Sequence, residues 1–187
     1  MDYELVRNEI KDGQIVFINA VTLGQKIISV FTGGKFSHVG FVVWMTDSTG
    51  NKKLMCLESS VGGARLVQLR AYLERGMTIV DIGLKWEDCA GSAFGDTGVL
   101  HYNVTNLVLI GIKTLLQKVG LDFLAKYVRS AGSGEVCSEF VATLLEENGY
   151  VLDSFTSPNA LYESLVGLPN LSKSIPIAAQ IQALSHK

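Results

Sequence analysis

Cys137, His38 and Glu58 are the residues of this 187-residue chain whose types, taken together, can do covalent chemistry. A thiolate attacks amide and ester carbonyls. An imidazole takes the thiol's proton and returns it to the leaving group, and a carboxylate fixes the imidazole's tautomer and favours its charged form. Cys137 lies in "GSGEVCSEFVATLLEENG" (132–149), where Val136, Phe140, Val141, Leu144 and Leu145 recur at helical spacing and Glu139, Glu146 and Glu147 fall off that stripe. Ser133 suits the N-cap and Gly149 the residue just past the helix end. This puts the cysteine in the first turn, where the helix dipole and free backbone N–H groups favour an anion, lower a thiol's pKa and can cradle an oxyanion. On position alone a small core residue is the more common reading, because cysteine is among the types most often buried.

Of the three histidines, His186 falls in the terminal tail and His101 in an expected loop, which leaves His38 as the candidate base. It interrupts the apolar strand "KFSHVGFVVWM" (35–45), on the face expected to carry Phe36, Gly40, Val42 and Trp44. Its neighbours Ser37 and Gly40 are small enough to let another group approach. "TDSTGN" then reads as a turn and "KKLMCLESS" (52–60) as a returning strand. A turn centred near Ser48–Thr49 pairs positions whose numbers sum to 96 or 98. His38 then faces Glu58 directly, or faces Ser60 with Glu58 on the diagonal. Either register puts both on one face with Cβ atoms roughly 5–8 Å apart, and a slip of one residue would separate them. The plainer alternatives are a structural histidine and a surface salt link on an edge strand.

Around these residues the chain reads as strands first and helices later. "GQIVFINA" (13–20) is an expected strand, "TLGQKIISVFTGG" an expected helix ending at Gly33–Gly34, and 35–45, apolar on both faces, a central strand. Further strands are expected over 64–69 and 77–84, with a helical turn in "RAYLERG" between them. Helices are expected over 104–118, 120–130, 134–148 and 158–166 and in "IPIAAQIQALS" at the end. This order implies an α+β fold with an antiparallel sheet, in a single domain spanning 1–187. Hydrophobic residues make up 48% of the chain and charged residues 18%, and the net charge is −2 with no Lys/Arg cluster, so phosphate-driven nucleic-acid binding has no electrostatic support. Lys113, Gln117 and Lys118 interrupt the greasiest stretch before it could span a bilayer, so no transmembrane segment is expected. Cys56, Cys89 and Cys137 are odd in number and lack paired metal-ligand spacing, and "MDYELVRNEIKDG" lacks an apolar export core. Reduced thiols in a cytoplasmic protein are the expectation, with no structural zinc and no cofactor.

"FSHVGFVV", then "LESS", then "CSEFVATLLEENG" resemble, in that order, the circularly permuted papain-like branch of the NlpC/P60 superfamily. That branch includes the YiiX-like and YebB-like bacterial proteins and the lecithin:retinol acyltransferase relatives. Ordinary papain-like enzymes place the cysteine before the histidine; here Cys137 follows His38 by 99 residues, the permuted order. "DGQIVF" resembles the family's opening Gly-Asp-hydrophobic strand with Asp and Gly exchanged. "GVLHYNVTNLV" resembles a Gly-x-x-Tyr-Asp segment with Asn103 in place of Asp, and "SPNALYESL" a Ser/Thr-Pro-x-x-Leu segment. The resemblance implies a cysteine-bearing helix packed on an antiparallel sheet that carries His38 and Glu58, the latter where the family's third, polar residue is expected. It further implies a thiol hydrolase working through an acyl-enzyme, with Cys137 as nucleophile, His38 as base and acid, and Glu58 orienting the ring. Family members and relatives act on cell-wall peptides, acyl lipids or other amides. The expected partner is therefore a peptide, a peptidoglycan fragment or an acyl lipid. A thiol acyltransferase and a catalytically inactive binding module are the alternatives on the same fold, and a wall-acting enzyme would leave the cell by a phage or secretion route.

Two other motifs compete weakly. "GDTG" (95–98) contains the Asp-Thr-Gly of aspartic proteases, but those need a second aspartate to share a proton with Asp96. "TGGKFS" lacks the first glycine and the Ser/Thr of a phosphate-binding loop. If Cys137 is activated, iodoacetamide labels it well below a free thiol's pKa of about 8.5 while Cys56 and Cys89 lag. Mass spectrometry of labelling across pH measures this, and three thiols reacting in step would contradict it.

Overall fold

One turn sets the register on which the candidate site depends. The Asp47 carboxylate accepts from the Thr49 and Asn51 backbone N–H groups and from the Thr49 hydroxyl, and the Asp47 N–H donates to the Asn51 carbonyl at 3.0 Å. Gly50 takes a φ of 83°, which glycine adopts without strain. The flanking strands, β2 (Phe36–Thr46) and β3 (Lys52–Ser60), pair antiparallel with Thr46 opposite Lys52 and Phe41 opposite Leu57. Of the two expected registers, this one opposes Gly40 to Glu58 and leaves Glu58 diagonal to His38.

The computed structural model describes residues 2–23, 25–26, 29, 33–60, 63–88, 90, 137–152, 157–169, 171 and 173–177. Among them β1 (Ile15–Asn19), β2, β3, β4 (Gly63–Gln68), β5 (Met77–Asp81) and β6 (Lys173–Ile177) form one antiparallel sheet in the order β4–β3–β2–β1–β5–β6. Helices among the described residues include α1 (Tyr3–Val6), α2 (Cys137–Glu147) and α3 (Pro158–Val166), with 3₁₀ segments at Arg7–Glu9 and Leu69–Arg75. The α+β class with an antiparallel sheet is thus the observed one, and β2 is central, as its two apolar faces require. The helices expected over 104–118 and 120–130 lie outside the described residues.

Both faces of the sheet are buried. On one, Phe17, Val39, Phe41 and Leu57 pack against Phe140, Val141, Leu144 and Leu145 of α2 and Leu161 and Leu165 of α3. The α2 residues are the stripe read from the sequence. On the other face, Val16, Ile18, Val42 and Ile79 meet Tyr3 and Val6 of α1 and Leu69, Tyr72 and Leu73 of the second 3₁₀ segment. Full burial of each large side chain contributes roughly 1.5–3 kcal/mol, so a strand buried on both faces anchors two layers at once.

Two expectations are corrected. Residues 173–177, inside and just before the stretch expected to be helical, form edge strand β6 with Ile175 opposite Ile79 and Ile177 opposite Met77. Five residues, Lys-Ser-Ile-Pro-Ile, are too few to carry a reliable period, and Pro176 is tolerated at a sheet edge. Phe36 does not share a face with His38. Ile18 opposes His38 but Asn19 opposes Phe36, so Ser37 is an extra residue on β2. This bulge turns Phe36 onto the α2/α3 face, where its ring lies 5.3 Å from that of Phe17.

The start of β2 is also clamped from α3, whose N-cap Ser157 accepts from the Ala160 N–H at 3.1 Å and whose first turn opens on Pro158. Buried Asn159 accepts from the Phe36 N–H and donates to the Phe36 carbonyl, each at 2.9 Å. Replacing Asn159 with Ala removes both partners at once, and we expect a loss of about 2–4 kcal/mol. Urea unfolding checks this; a midpoint unchanged from the parent protein would show that the clamp contributes nothing.

Candidate functional site

The β2–β3 register and a glycine bring the candidate side chains together. Ser37 and His38 both address the layer of the Leu69–Arg75 segment: Arg75 Nη2 donates to Ser37 Oγ at 2.8 Å, and the Tyr72 ring centre lies 6.3 Å from that of His38. Across the hairpin, a Cβ built on Gly40 would lie 2.6 Å from both Cys56 Sγ and the Leu57 carbonyl oxygen and 3.3 Å from Glu58 Cβ. Glycine's missing side chain is thus the space through which Glu58 reaches the imidazole.

Glu58 is fully buried, 0% exposed, and every position around its carboxylate is occupied by a donor. Oε2 lies 2.8 Å from His38 Nε2 and accepts from the Tyr72 hydroxyl at 2.6 Å and, more weakly, from the Cys56 thiol at 3.7 Å. Oε1 accepts from Arg65 Nε at 3.0 Å and lies 2.9 Å from Nη2 of the same guanidinium, across the β3–β4 pair in which Glu58 opposes Arg65. Cys137 opens the described part of α2 and is 4% exposed. It shares a hydrogen bond with His38. With Nε2 facing Glu58, Nδ1 is the nitrogen left for the sulfur. All three sequence candidates therefore meet, and His38 keeps 16% of its side chain exposed.

Charge decides the protonation states. Burial pulls the His38 pKa down, but Cys137 and Glu58 oppose it through charge and hydrogen bonds and raise the value from 6.5 to about 10. Burial pushes Glu58 up, yet His38, Tyr72 and Arg65 outweigh it and hold the carboxyl at about 2. The Cys56 thiol is pushed well up by burial and by the adjacent carboxylate, so it stays protonated and inert. Burial and Glu58 likewise raise Tyr72, which stays a donor.

Arg65, Tyr72 and Cys56 were not among the sequence candidates for the site. Arg65 had a signal: the "ESSVGGAR" turn (58–65) predicts a tight hairpin with Glu58 opposite an arginine. Tyr72 had none, because its approach depends on how the 3₁₀ segment crosses the sheet. Ser133, His101, His186, Cys89, Asn103 and the Asp96 motif lie outside the described residues.

No family model and no curated protein matches the chain. Among solved structures, the crystal structure of the metalloprotein YiiX from Escherichia coli O157:H7, a DUF1105 protein, is similar to it with 13% identity and a TM-score of 0.41, over 91% of this chain and 97% of that one. Among the described residues here, no group of three or more His, Cys, Asp and Glu side chains is placed to hold a metal ion. A cation at Glu58 would have to displace a guanidinium at 2.9 Å. Among the same residues no helix is long and apolar enough to cross a membrane.

The pair makes stability depend on pH with a definite sign. His38 is raised on folding, so its contribution is complete below pH 6.5 and is lost as pH rises through about 10. Glu58 is lowered, so its contribution is complete above pH 4.5 and is lost as pH falls through about 2. We expect urea midpoints to plateau between these limits and to decline on the alkaline side, with the alkaline decline reduced in His38→Gln. A parent protein that gains stability from pH 6.5 to 10 would contradict the assignment.

Proposed function

We propose that this chain is a thiol hydrolase of the permuted papain-like, NlpC/P60-type fold that cleaves an amide or ester through an acyl-enzyme. The observation that carries the reading is the hydrogen-bonded line from the Cys137 sulfur through the His38 imidazole to the buried Glu58 carboxylate. A raised imidazole beside a thiol favours transfer of the proton from sulfur to nitrogen, which is the activated state of a cysteine nucleophile.

In the proposed mechanism, the Cys137 thiolate attacks the substrate carbonyl carbon, and the backbone N–H of Cys137 stabilises the oxyanion. As the tetrahedral intermediate collapses, His38 donates its proton to the leaving nitrogen or oxygen, the C–N or C–O bond breaks, and a thioester remains. His38, now neutral, takes a proton from water, whose oxygen displaces the sulfur; another acceptor in place of water gives acyl transfer. Glu58 holds the ring's tautomer and orientation throughout. Substrate classes consistent with the resemblance are cell-wall peptides, isopeptides and acyl lipids.

Hydrolysis of a panel of peptidoglycan fragments, isopeptides and acyl lipids tests this. We expect Cys137→Ala and His38→Ala each to cut turnover by at least about 10³-fold, while circular dichroism stays that of the parent. Full activity in either variant would end the proposal.

A further inference from the structure

Glu58 meets two cations, one on each oxygen: His38 on Oε2, and Arg65, whose side chain is 54% exposed, on Oε1. The hydrolase reading above gives this division a role, and the inference rests on that reading. On that reading the activated site holds a thiolate, an imidazolium, the carboxylate and the guanidinium, whose charges cancel. When His38 protonates the leaving group, the thiolate has become a neutral thioester and the imidazole is neutral. The carboxylate still needs a positive partner, because a buried unpaired charge is strongly disfavoured.

We propose that Arg65 is a positioning residue for this site, acting through Glu58: it anchors Oε1 so that Oε2 faces the imidazole, and it supplies the counter-charge that lets His38 release its proton. The covalent step is unchanged; the C–S bond forms, the bond to the leaving group breaks, and the His38 proton goes to that group. Without Arg65, discharge of the imidazolium would leave a negative charge in the core, so the proton would stay on the ring.

The groups around Glu58 do not offer a substitute. Cys56 on β3 and Tyr72 of the 3₁₀ segment are neutral donors, and Cys137 of α2 is the nucleophile itself. Arg75 also interacts with Glu58 through charge, but its Nε and Nη2 are engaged by the Asn19 carbonyl and Ser37 Oγ, and its guanidinium stacks 5.4 Å from the Tyr72 ring centre.

Arg65→Gln and Arg65→Lys test the idea by three readouts: His38 titration by NMR, the rate of Cys137 alkylation by iodoacetamide, and turnover of the substrate found in the panel. Alkylation uses the thiolate but does not require His38 to give up a proton; turnover requires both. In Arg65→Gln we expect the His38 midpoint to rise by about one pH unit, neutral-pH alkylation to stay within about twofold and turnover to fall about tenfold or more. Arg65→Lys should restore the midpoint and most of the turnover. An unmoved His38 midpoint in Arg65→Gln would overturn the proposal, as would equal losses of alkylation and turnover. If Arg65→Gln does not fold, the Lys variant decides: parent-like turnover supports the role of charge, and a tenfold loss with an unmoved midpoint refutes it. The titration needs no substrate, so a parent protein inert on every substrate would sink the hydrolase reading while the effect of Arg65 on His38 remained measurable.

Discussion

A carboxylate removed from water must be answered by its surroundings, and the architecture around Glu58 does so with donors from four elements. His38 comes from β2, Arg65 from β4, Tyr72 from the 3₁₀ segment and Cys56 from the same strand. Each arrives for a different local reason: the Asp47 turn fixes the register, Gly40 leaves the gap, and the β3–β4 pairing brings the guanidinium across. A one-residue slip of β2 against β3 would put Glu58 and His38 on opposite faces, and a slip of β4 against β3 would take Arg65 away from the carboxylate. The ion cluster thus selects the register as much as the register builds the cluster.

The same charge separates the two described thiols. Cys56 and Cys137 are both buried and unbonded to each other, so exposure alone would treat them alike. Cys56 faces an anion, which disfavours a second negative charge beside it. Cys137 faces the imidazole of His38 instead. Electrostatic company distinguishes a nucleophile candidate from a packing residue here.

Much of this was legible in the sequence because it depends on short-range periodicity. Strand 52–60, helix 158–166 and the apolar stripe of α2 follow from spacing alone, and the parity of one hairpin places His38 and Glu58 on the same face. The meeting with Cys137 does not follow from spacing, since it joins segments 99 residues apart and rests on the order of family-like motifs. Tyr72 was illegible because side chains of a 3₁₀ segment have no simple register with a neighbouring strand. Phe36 was assigned to the wrong face because a bulge breaks the two-residue alternation without marking the sequence. Lys173–Ile177 pairs with β5 for a tertiary reason: the sheet's other edge needs apolar cover, and five residues are too few to declare a period.

The extra residue at Ser37 also bears on how this chain can change by insertion or deletion. Indels usually accumulate in surface loops, where backbone can be rerouted at little cost. Losing one codon at Ser37 would regularise the ladder and leave Phe36 and His38 on the opposite faces they already occupy, but it would remove the hydroxyl to which Arg75 Nη2 donates. A chain one residue shorter here would keep the face of its imidazole and give up one of the two acceptors that hold the Arg75 guanidinium, so length at this point is tied to that arginine and not to the histidine.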